Sequence, residues 1–270
     1  MENVTELIRN RRSVRSYDGR ALEMKDLEKL RELMQDTENP YALPVKFELL
    51  NAKEHGLLCP VVSGTETYVG GKIKKSEHAD VAFGYSFEML VLHAWSLGIG
   101  TVWLGGTMNR PAFETAMGLG ADEIMPCASP LGYVANKMSM REGMMRKAIK
   151  ADERLPFERL FFDGNFDMPL TKEKAGSLAL ALEMVRLAPS AVNKQPWRVV
   201  ACEGAVHFYL KRSKGITRSD TLDMQKIDMG IALCHFALTA KACGLRVSFS
   251  SVAPAIKTDD EYIASYLIAH

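Results

Sequence analysis

The most informative stretch for the architecture of this chain is Asp80-Val-Ala-Phe-Gly-Tyr-Ser-Phe-Glu-Met-Leu-Val-Leu-His-Ala-Trp-Ser-Leu-Gly98. It is mostly apolar and closes on a glycine, which predicts a long helix with Gly98 just past its last turn. Residues 226–244 form a second stretch of the same length and kind. Gly84 and Gly230 are 146 positions apart (230 − 84), and the glycines that close the two stretches have the same spacing. The sequence therefore predicts an internal repeat with one such helix in each copy.

The sequence around these helices repeats in the same order. Gly56 and Gly204 stand at corresponding hairpin positions, and the pair Asp18-Gly19 corresponds to Asp163-Gly164. Each copy reads as a helix, a hairpin, the long helix and then a strand. We therefore expect two halves of one intertwined unit, neither of which folds alone.

Strand predictions are sharper in the second half than in the first. Trp197–Cys202 and Val206–Lys211 predict a hairpin, because apolar runs flank a short Glu-Gly turn. In the first half, Phe47–Asn51 and Leu57–Val62 predict the corresponding hairpin. Thr65–Glu77, which is rich in glycine and lysine, predicts a loop.

Composition excludes several classes of protein. A hydrophobic content of 47% and a charged content of 25% argue against disordered, collagen-like and coiled-coil chains. The 34 basic and 33 acidic residues leave a net charge of +1, so neither nucleic acid nor an anionic membrane is an expected partner. The sequence shows no signal peptide or membrane span, and its five cysteines include no C-x-x-C pair. These features predict a cytoplasmic protein without a metal site.

The first candidate binding motif is Arg11-Arg12-Ser13-Val14-Arg15, directly after the first predicted helix. Guanidinium groups offer forked donors that match phosphate oxygens and keep their charge at neutral pH. Three of them and a hydroxyl group within five residues predict a phosphate receptor. An exposed basic patch is an equally open interpretation of the same residues.

The second candidate motif is Ala188-Pro-Ser-Ala-Val-Asn-Lys-Gln-Pro-Trp197, between a helix and a strand. Its two prolines restrict the backbone. A capped turn before a buried Trp197 explains the segment at least as well as a binding role does. The side chains able to hydrogen-bond the edge of a heteroaromatic ring are Ser190, Asn193 and Gln195.

A third, weaker candidate is Thr101-Val-Trp-Leu-Gly-Gly-Thr107, where Leu104 precedes Gly105 and Gly106. Two glycines let backbone N–H groups approach a flat ligand closely, although they also suit an ordinary turn. No P-loop, dinucleotide fingerprint, serine elbow or metal-ligand spacing is present elsewhere in the sequence.

Together these motifs resemble the nitroreductase family of FMN-dependent oxidoreductases. The resemblance implies an α+β sandwich in which two subunits intertwine and each FMN lies at their interface. An ordinary member carries the Pro-Ser-x-x-Asn-x-Gln segment soon after the arginine motif, whereas here Asn39–Phe47 lacks it and the segment comes in the second half. The chain thus resembles a subgroup in which residues 1–150 and 151–270 mimic the family homodimer, so that a monomer can hold a complete site.

The resemblance also implies roles for individual residues. Arg11 and Arg12 would hold the FMN phosphate, Ser13 would lie near the ribityl chain, and Arg15 near the pyrimidine edge. Gly105 would offer its backbone N–H to flavin N5. Arg154 resembles a further phosphate-binding arginine, although Asp152 stands where the family has a lysine. The remaining expected cofactor-binding residues are Leu104, Gly106, Pro189, Ser190, Ala191, Asn193 and Gln195.

The second copy of the arginine motif is lost from the sequence. An offset of 145 residues places Pro156, Phe157, Glu158 and Leu160 opposite Arg11, Arg12, Ser13 and Arg15. A carboxylate in place of the hydroxyl would repel a phosphate. One complete FMN site per chain is therefore expected.

The resemblance implies an FMN-dependent NAD(P)H oxidoreductase that passes a hydride through flavin N5 to a small-molecule acceptor such as a nitroaromatic compound or a quinone. The flavin would carry the chemistry, so no catalytic side chain is expected. The alternative is a non-catalytic flavin- or ligand-binding protein on the same fold. Bound ligand without NAD(P)H oxidation would distinguish the two.

Overall fold

The computed structural model describes residues 3–216, 218–219 and 222–269. The helices are α1 (Val4–Asn10), α2 (Met24–Asp36), α3 (Ala52–His55), α4 (Ala79–Ser96), α5 (Arg110–Ala116), α6 (Met140–Ala148), α7 (Lys172–Ala175), α8 (Ala179–Arg186) and α9 (Met224–Ala242). The strands are β1 (Val45–Asn51), β2 (Thr67–Lys74), β3 (Ile99–Gly100), β4 (Glu123–Ile124), β5 (Ala128–Tyr133), β6 (Phe161–Asp163), β7 (Trp197–Cys202), β8 (Ala205–Leu210), β9 (Arg218–Ser219), β10 (Leu222–Asp223), β11 (Val247–Ser250) and β12 (Glu261–Ile268).

The two larger sheets have the same strand order, which confirms the internal repeat. In the first sheet the order is β1-β2-β5-β3, with β4 also paired to β2. In the second sheet it is β7-β8-β12-β11, with β6 added beside β7 in parallel. The long helix follows the second strand in each copy, as α4 follows β2 and α9 follows β8. The chain is thus an α+β molecule built from two similar halves.

The two long helices pack against each other between the sheets, and their crossing is reciprocal. A Cβ at Gly84 would lie 2.2 Å from the carbonyl oxygen of Ile227, and a Cβ at Gly230 would lie 2.1 Å from that of Val81. The two backbones therefore approach so closely that only glycine fits at either position. The same pair of contacts seen from each helix shows an approximate two-fold relation between the halves.

Both helices end as predicted. Gly98 and Gly244 follow the last turns of α4 and α9 with φ of 76° and 74°, a conformation that glycine adopts without strain. No helix in the described part of the chain combines the length and the apolar character that a membrane span requires.

The loop predicted for Thr65–Glu77 is wrong. This segment forms β2, a central strand paired with both β1 and β5. Neighbouring side chains occupy the space that a side chain at Gly70 or Gly71 would need. A Cβ at Gly71, for example, would lie 2.8 Å from the rings of Phe47 and Phe83. Glycine here marks close packing on a strand and no turn.

The hairpin predicted between Phe47–Asn51 and Leu57–Val62 is also wrong. The partner of β1 is β2, and the short helix α3 and an irregular segment occupy the intervening residues. Gly56 has a φ of 60° and ends α3, so the glycine that suggested a hairpin turn closes a helical turn instead. The predicted hairpin of the second half is confirmed by the pairing of β7 with β8.

Candidate active site

A cleft between the two halves brings most of the predicted site residues together. It contains three adjoining cavities of about 80, 130 and 290 Å³, called here the basic, central and outer cavities. The basic cavity is lined by Arg11, Arg12, Arg154 and Asn193, and it shares Ser13, Pro189 and Ser190 with the central cavity. The central cavity shares Arg15 and Ala191 with the outer cavity, whose wall also carries Gly105 and Gly106. Residues far apart in the sequence thus line one continuous cleft.

The Arg11–Arg15 segment is extended, and among its five side chains that of Val14 points into the core while the other four line the cleft. Val14 is fully buried and donates its backbone N–H to the carbonyl oxygen of Thr101 at 2.8 Å. It packs on Gly100, where a Cβ would lie 2.9 Å from the Val14 side chain. Because neighbouring side chains of an extended segment point in opposite directions, Ser13 and Arg15 face the cleft.

Arg12 and a fourth arginine of the basic cavity, Arg146, are paired with acids. Arg12 Nη1 lies 3.4 Å from Oε1 of Glu142, whose side chain is only 1% exposed and whose other oxygen accepts a hydrogen bond from Ser16 Oγ at 2.8 Å. Arg146 forms an ion pair with Asp152, which itself projects into solvent. Part of the positive charge at this end of the cleft is therefore neutralised.

A buried polar network connects the basic cavity to the wall of the central cavity. Arg11 Nε lies 3.7 Å from Glu88 Oε1, and the same oxygen lies 2.9 Å from His235 Nε2. The other Glu88 oxygen accepts a hydrogen bond from the Trp103 indole N–H at 3.1 Å. Burial lowers the pKa of Arg11, and the nearby Glu88 carboxylate opposes that effect. Glu88 thus holds both a cation of the basic cavity and an aromatic ring of the central cavity.

Arg154 is positioned mainly by backbone oxygens. Its Nη1 donates to the carbonyl oxygens of Ala151 and Glu153, at 2.8 Å each, and to Asn193 Oδ1 at 3.3 Å. Burial, with a further contribution from nearby Arg11, lowers the pKa of Arg154 to about 10. A buried guanidinium of this kind gains from any anion that enters the cavity.

The segment from Pro189 to Gln195 is held in an unusual backbone conformation. Ser190 Oγ accepts the Gln195 N–H at 2.9 Å, and Gln195 Oε1 accepts the Leu155 N–H at 2.8 Å. Such strain is found where a ligand is clamped, because the surroundings must enforce it. The residues with left-handed backbone are Val192, Asn193 and Gln195, with φ of 50°, 56° and 50°.

Two of the residues expected to bind cofactor lie behind the cleft. Gln195 is buried, and its side-chain oxygen is engaged by the N–H of Leu155, so it supports the segment from within. Leu104 is buried and exchanges two backbone hydrogen bonds with Ala128. Gly105 does face the outer cavity, and a Cβ there would lie 2.8 Å from the Met224 methyl group.

Other cleft residues escaped the sequence analysis. Ile149 lines all three cavities, and Trp103 and Met224 line two. Asp228 lines the central cavity, and its Oδ1 accepts the Ala191 N–H at 2.9 Å. Burial raises the pKa of Asp228 well above its ordinary value. Ile149, Met224 and Asp228 lie on or beside helices where the sequence pattern indicates only a core or a solvated face, so no local signal distinguishes them. Trp103 lies within the Thr101–Thr107 candidate segment, where only the glycines suggested a ligand.

Several buried polar atoms along the cleft have no hydrogen-bond partner among the described residues. A buried polar atom without a partner is costly, so such a group signals a missing ligand or water. The nitrogens would need acceptor atoms, and anionic oxygens would suit them best. The atoms are Arg11 Nε, Arg15 Nε, Arg15 Nη1, Arg154 Nε and Asp228 Oδ2.

Comparison with known proteins identifies the family and the fold of the chain. Residues 3–240 match a family model described as "Putative TM nitroreductase". A "putative nitroreductase" structure from Thermotoga maritima is 20% identical, with 98% of this chain and 93% of that chain covered and a TM-score of 0.64. A "putative nitroreductase in complex with fmn" from Desulfovibrio desulfuricans is 23% identical, with 52% and 90% covered and a TM-score of 0.43. No curated protein sequence matches. Because the family model covers most of its length, the chain belongs to this nitroreductase family.

Proposed function

We propose that this chain is an FMN-dependent oxidoreductase that takes electrons from NAD(P)H and passes them to nitroaromatic compounds, quinones or similar small acceptors. The family supports an oxidoreductase, and one similar structure is described as a complex with FMN. The observation that carries the proposal for this chain is the set of buried guanidinium nitrogens along one cleft that donate no hydrogen bond within the described residues. FMN has the complementary chemistry, with an anionic phosphate at one end and ring oxygens at the other.

The basic cavity fits the phosphate. Within the described residues, Arg11 Nε, which lies 3.7 Å from Glu88 Oε1, and Arg154 Nε donate no hydrogen bond, and Arg12 completes the arginine cluster. Phosphate oxygens would satisfy these donors with charge-assisted hydrogen bonds, which are about twice as strong as neutral ones. Ser13, between the basic and central cavities, would then lie near the ribityl chain.

The central and outer cavities would take the ring. Arg15 has two buried nitrogens without an acceptor and lines both cavities. As a fixed cation near the pyrimidine edge it would stabilise negative charge there. Pro189, Ser190 and Ala191 would cover the ring from the second half of the chain, and the backbone N–H of Gly105 would face N5. Bound FMN would supply the hydride-transfer chemistry, and no protein nucleophile is needed.

A single FMN site per chain is part of the proposal. A larger cavity of about 710 Å³ shares part of its wall with the position that the repeat relates to the central cavity. Its wall carries Tyr85, Ser248 and Phe249, which correspond to Ile231, Val102 and Trp103 at the offset of 146 residues. The counterparts of the arginine motif are not on that wall, because Phe157 and Leu160 are buried in the core of the second half instead.

Two further points belong to the proposal. Both halves of the site come from one chain, which supports a monomer as the working unit. All five cysteines are free, which supports a reducing, cytoplasmic compartment.

The alternative function is a non-catalytic flavin- or ligand-binding protein. The observation that favours it is the pairing of three arginines of the basic cavity with Glu88, Glu142 and Asp152. These acids reduce the positive charge that the basic cavity offers to the FMN phosphate. A chain that retains FMN weakly would show little turnover, which leaves binding of a flavin or another ligand as its function.

Titration of the purified chain with FMN tests the proposal directly. We expect one FMN per chain, a flavin absorption spectrum, and oxidation of NADH or NADPH when a nitroaromatic compound or a quinone is added. A stoichiometry near two would contradict the single site. Bound FMN without turnover with any acceptor would favour the alternative.

Arg11→Ala is the matched variant, with Arg159→Ala as its control. Removal of a hydrogen bond to a charged group costs about 1.5–3 kcal/mol, so we expect Arg11→Ala to raise the Kd for FMN by about 10- to 150-fold. Arg159 is exposed and lies in the segment that replaces the arginine motif. Its removal is expected to leave the Kd unchanged, and equal losses in both variants would refute the assignment of the phosphate to the first half.

A further inference from the structure

We propose that Asp228 is a cofactor-binding residue of the central cavity, which holds the Ala191 amide with one carboxyl oxygen and donates a hydrogen bond from the other to the flavin. The inference rests on the proposed function. It adds an acidic contact to the arginine, serine and glycine contacts already described. It also assigns a task to the second carboxyl oxygen of a buried acid, which no hydrogen bond within the described residues uses.

The geometry of Asp228 suits a group that faces a ligand. Asp228 lies in the second turn of α9, is 3% exposed and lines the central cavity, and its Oδ2 has no hydrogen-bond partner among the described residues. Its Oδ1 is used, since it accepts the Ala191 N–H at 2.9 Å. The residue therefore ties the Pro189–Gln195 segment to α9 and keeps a second polar atom available within the cleft.

The repeat shows that the fold does not need an acid at this position. The residue of α4 that corresponds to Asp228, at the offset of 146 residues, is Ala82, which is also fully buried. The same place in the related helix is thus filled by a methyl group without loss of the helix crossing. A buried carboxyl group with an unpartnered oxygen destabilises a protein, so its presence in the half that lines the cleft points to a ligand.

The buried surroundings of Asp228 favour a neutral carboxyl group, which can donate. Burial raises its pKa well above the ordinary value, and the nearby Asp223 acts in the same direction. The Ala191 N–H opposes this shift. Arg15 shares the central cavity with it and offers only donors to a ligand. The two residues would therefore bind different acceptor atoms of the flavin.

The experiment compares Asp228→Ala and Asp228→Asn with the wild-type chain. Asparagine keeps an oxygen for the Ala191 N–H and supplies an N–H donor in place of the carboxyl proton, whereas alanine removes both contacts. Asp80→Asn is the matched control: Asp80 is an acid on α4 that also accepts one backbone N–H, from Asp223 at 2.9 Å, with its other oxygen unpartnered. It is absent from the walls of the three cavities.

The readouts are the Kd for oxidised FMN, by fluorescence quenching, and the two-electron midpoint potential of the bound flavin. We expect Asp228→Ala to raise the Kd about tenfold, while Asp228→Asn and Asp80→Asn stay within about twofold of wild type. Because a donor stabilises the charge that reduction adds, alanine should weaken binding of reduced FMN about tenfold more than that of oxidised FMN. That ratio lowers the potential by about 30 mV.

The possible outcomes separate this inference from the proposed function. Wild type that binds no FMN refutes the proposed function. If Asp228→Ala keeps the FMN affinity and the midpoint potential of the wild-type chain, the inference is overturned and the proposed function stands. The inference is also overturned if Asp228→Asn is as impaired as Asp228→Ala. If the alanine variant does not fold, infrared difference spectra decide: FMN binding must shift the C=O band of a protonated carboxyl group in wild type, and the shift must vanish in Asp228→Asn.

Discussion

Asp152 limits the charge that the basic cavity presents to a phosphate. It forms an ion pair with Arg146, whose side chain is 14% exposed against 82% for that of Asp152. Asp152→Asn would remove the negative partner and leave the Arg146 guanidinium facing the cavity. We expect the Kd for FMN to fall by about two- to fivefold at low ionic strength, because an exposed ion pair contributes up to about 1 kcal/mol. Isothermal titration calorimetry measures this change.

A neighbouring ion pair provides the control for this prediction. Lys150 and Glu153 form an exposed pair close in sequence to Asp152, but neither lies on the wall of the basic cavity. Glu153→Gln removes the same charge and should change the Kd for FMN by less than about twofold. The gain from Asp152→Asn should also shrink with added salt, since screening weakens exposed charges. An equal gain in both variants would show only a general effect of net charge.

Residue-level prediction from the sequence worked where chemistry is local. The Arg11–Arg15 motif could be recognised because several donors crowd into five residues, and the structure places Ser13 and Arg15 on the cleft wall. Asp228 and Arg146 could not be recognised, since Asp228 is a lone acid in an apolar stretch of α9 and Arg146 is one of several charged residues of α6. Their place in the cleft depends on how α6 and α9 pack, and a local pattern does not carry that information.

At the scale of elements, the crossing of α4 and α9 is the contact that joins the halves. Gly84→Ala would place a methyl group 2.2 Å from the Ile227 carbonyl oxygen, which cannot move without shifting α9. We expect the free energy of unfolding to fall by at least about 2 kcal/mol, within the range for overpacked cores. Chemical denaturation measures it, and Gly230→Ala should behave alike because the crossing is reciprocal.

Gly143→Ala is the control for this prediction. Gly143 lies inside α6, and a Cβ there would meet nothing closer than the Met138 sulfur at 4.0 Å. Alanine should therefore stabilise the protein by about 0.5–1 kcal/mol, since glycine within a helix is unfavourable. If Gly84→Ala were as stable as Gly143→Ala, the backbone approach at the crossing would be looser than the geometry indicates.

Helices and strands were predictable where their apolar residues follow a regular pattern along the sequence. The two long helices and the hairpin of β7 and β8 have continuous apolar patterns, and the structure confirms them. The strand β2 was missed because Gly70 and Gly71 and alternating lysines resemble a loop. Only the bulk of Met117 below Gly70, and of Phe47 and Phe83 beside Gly71, explains why glycine occupies the middle of a strand.

At the scale of the whole molecule, the two-fold relation holds for the backbone and is broken in the chemistry. Glu88 of the buried network corresponds to Cys234, and its partner His235 corresponds to Met89. The polar groups thus surround one cleft only, while their counterparts are apolar or weakly polar. A duplicated fold can lose one site in this way without losing stability, because each polar group removed from a core also removes a burial cost.

The packing of the two halves against each other predicts how the chain behaves when it is divided at residue 150. The apolar faces of α4 and α9 cover each other, so residues 1–150 and 151–270 would each expose a large hydrophobic surface alone. We expect each fragment to lack a cooperative unfolding transition and a mixture of the two to regain one. The mixture should also bind FMN, because the arginine motif and the Pro189–Gln195 segment lie on different fragments. Circular dichroism and flavin fluorescence measure both properties. A first fragment that carries Gly84→Ala should fail to complement, whereas FMN binding by either fragment alone would refute a site shared between the halves.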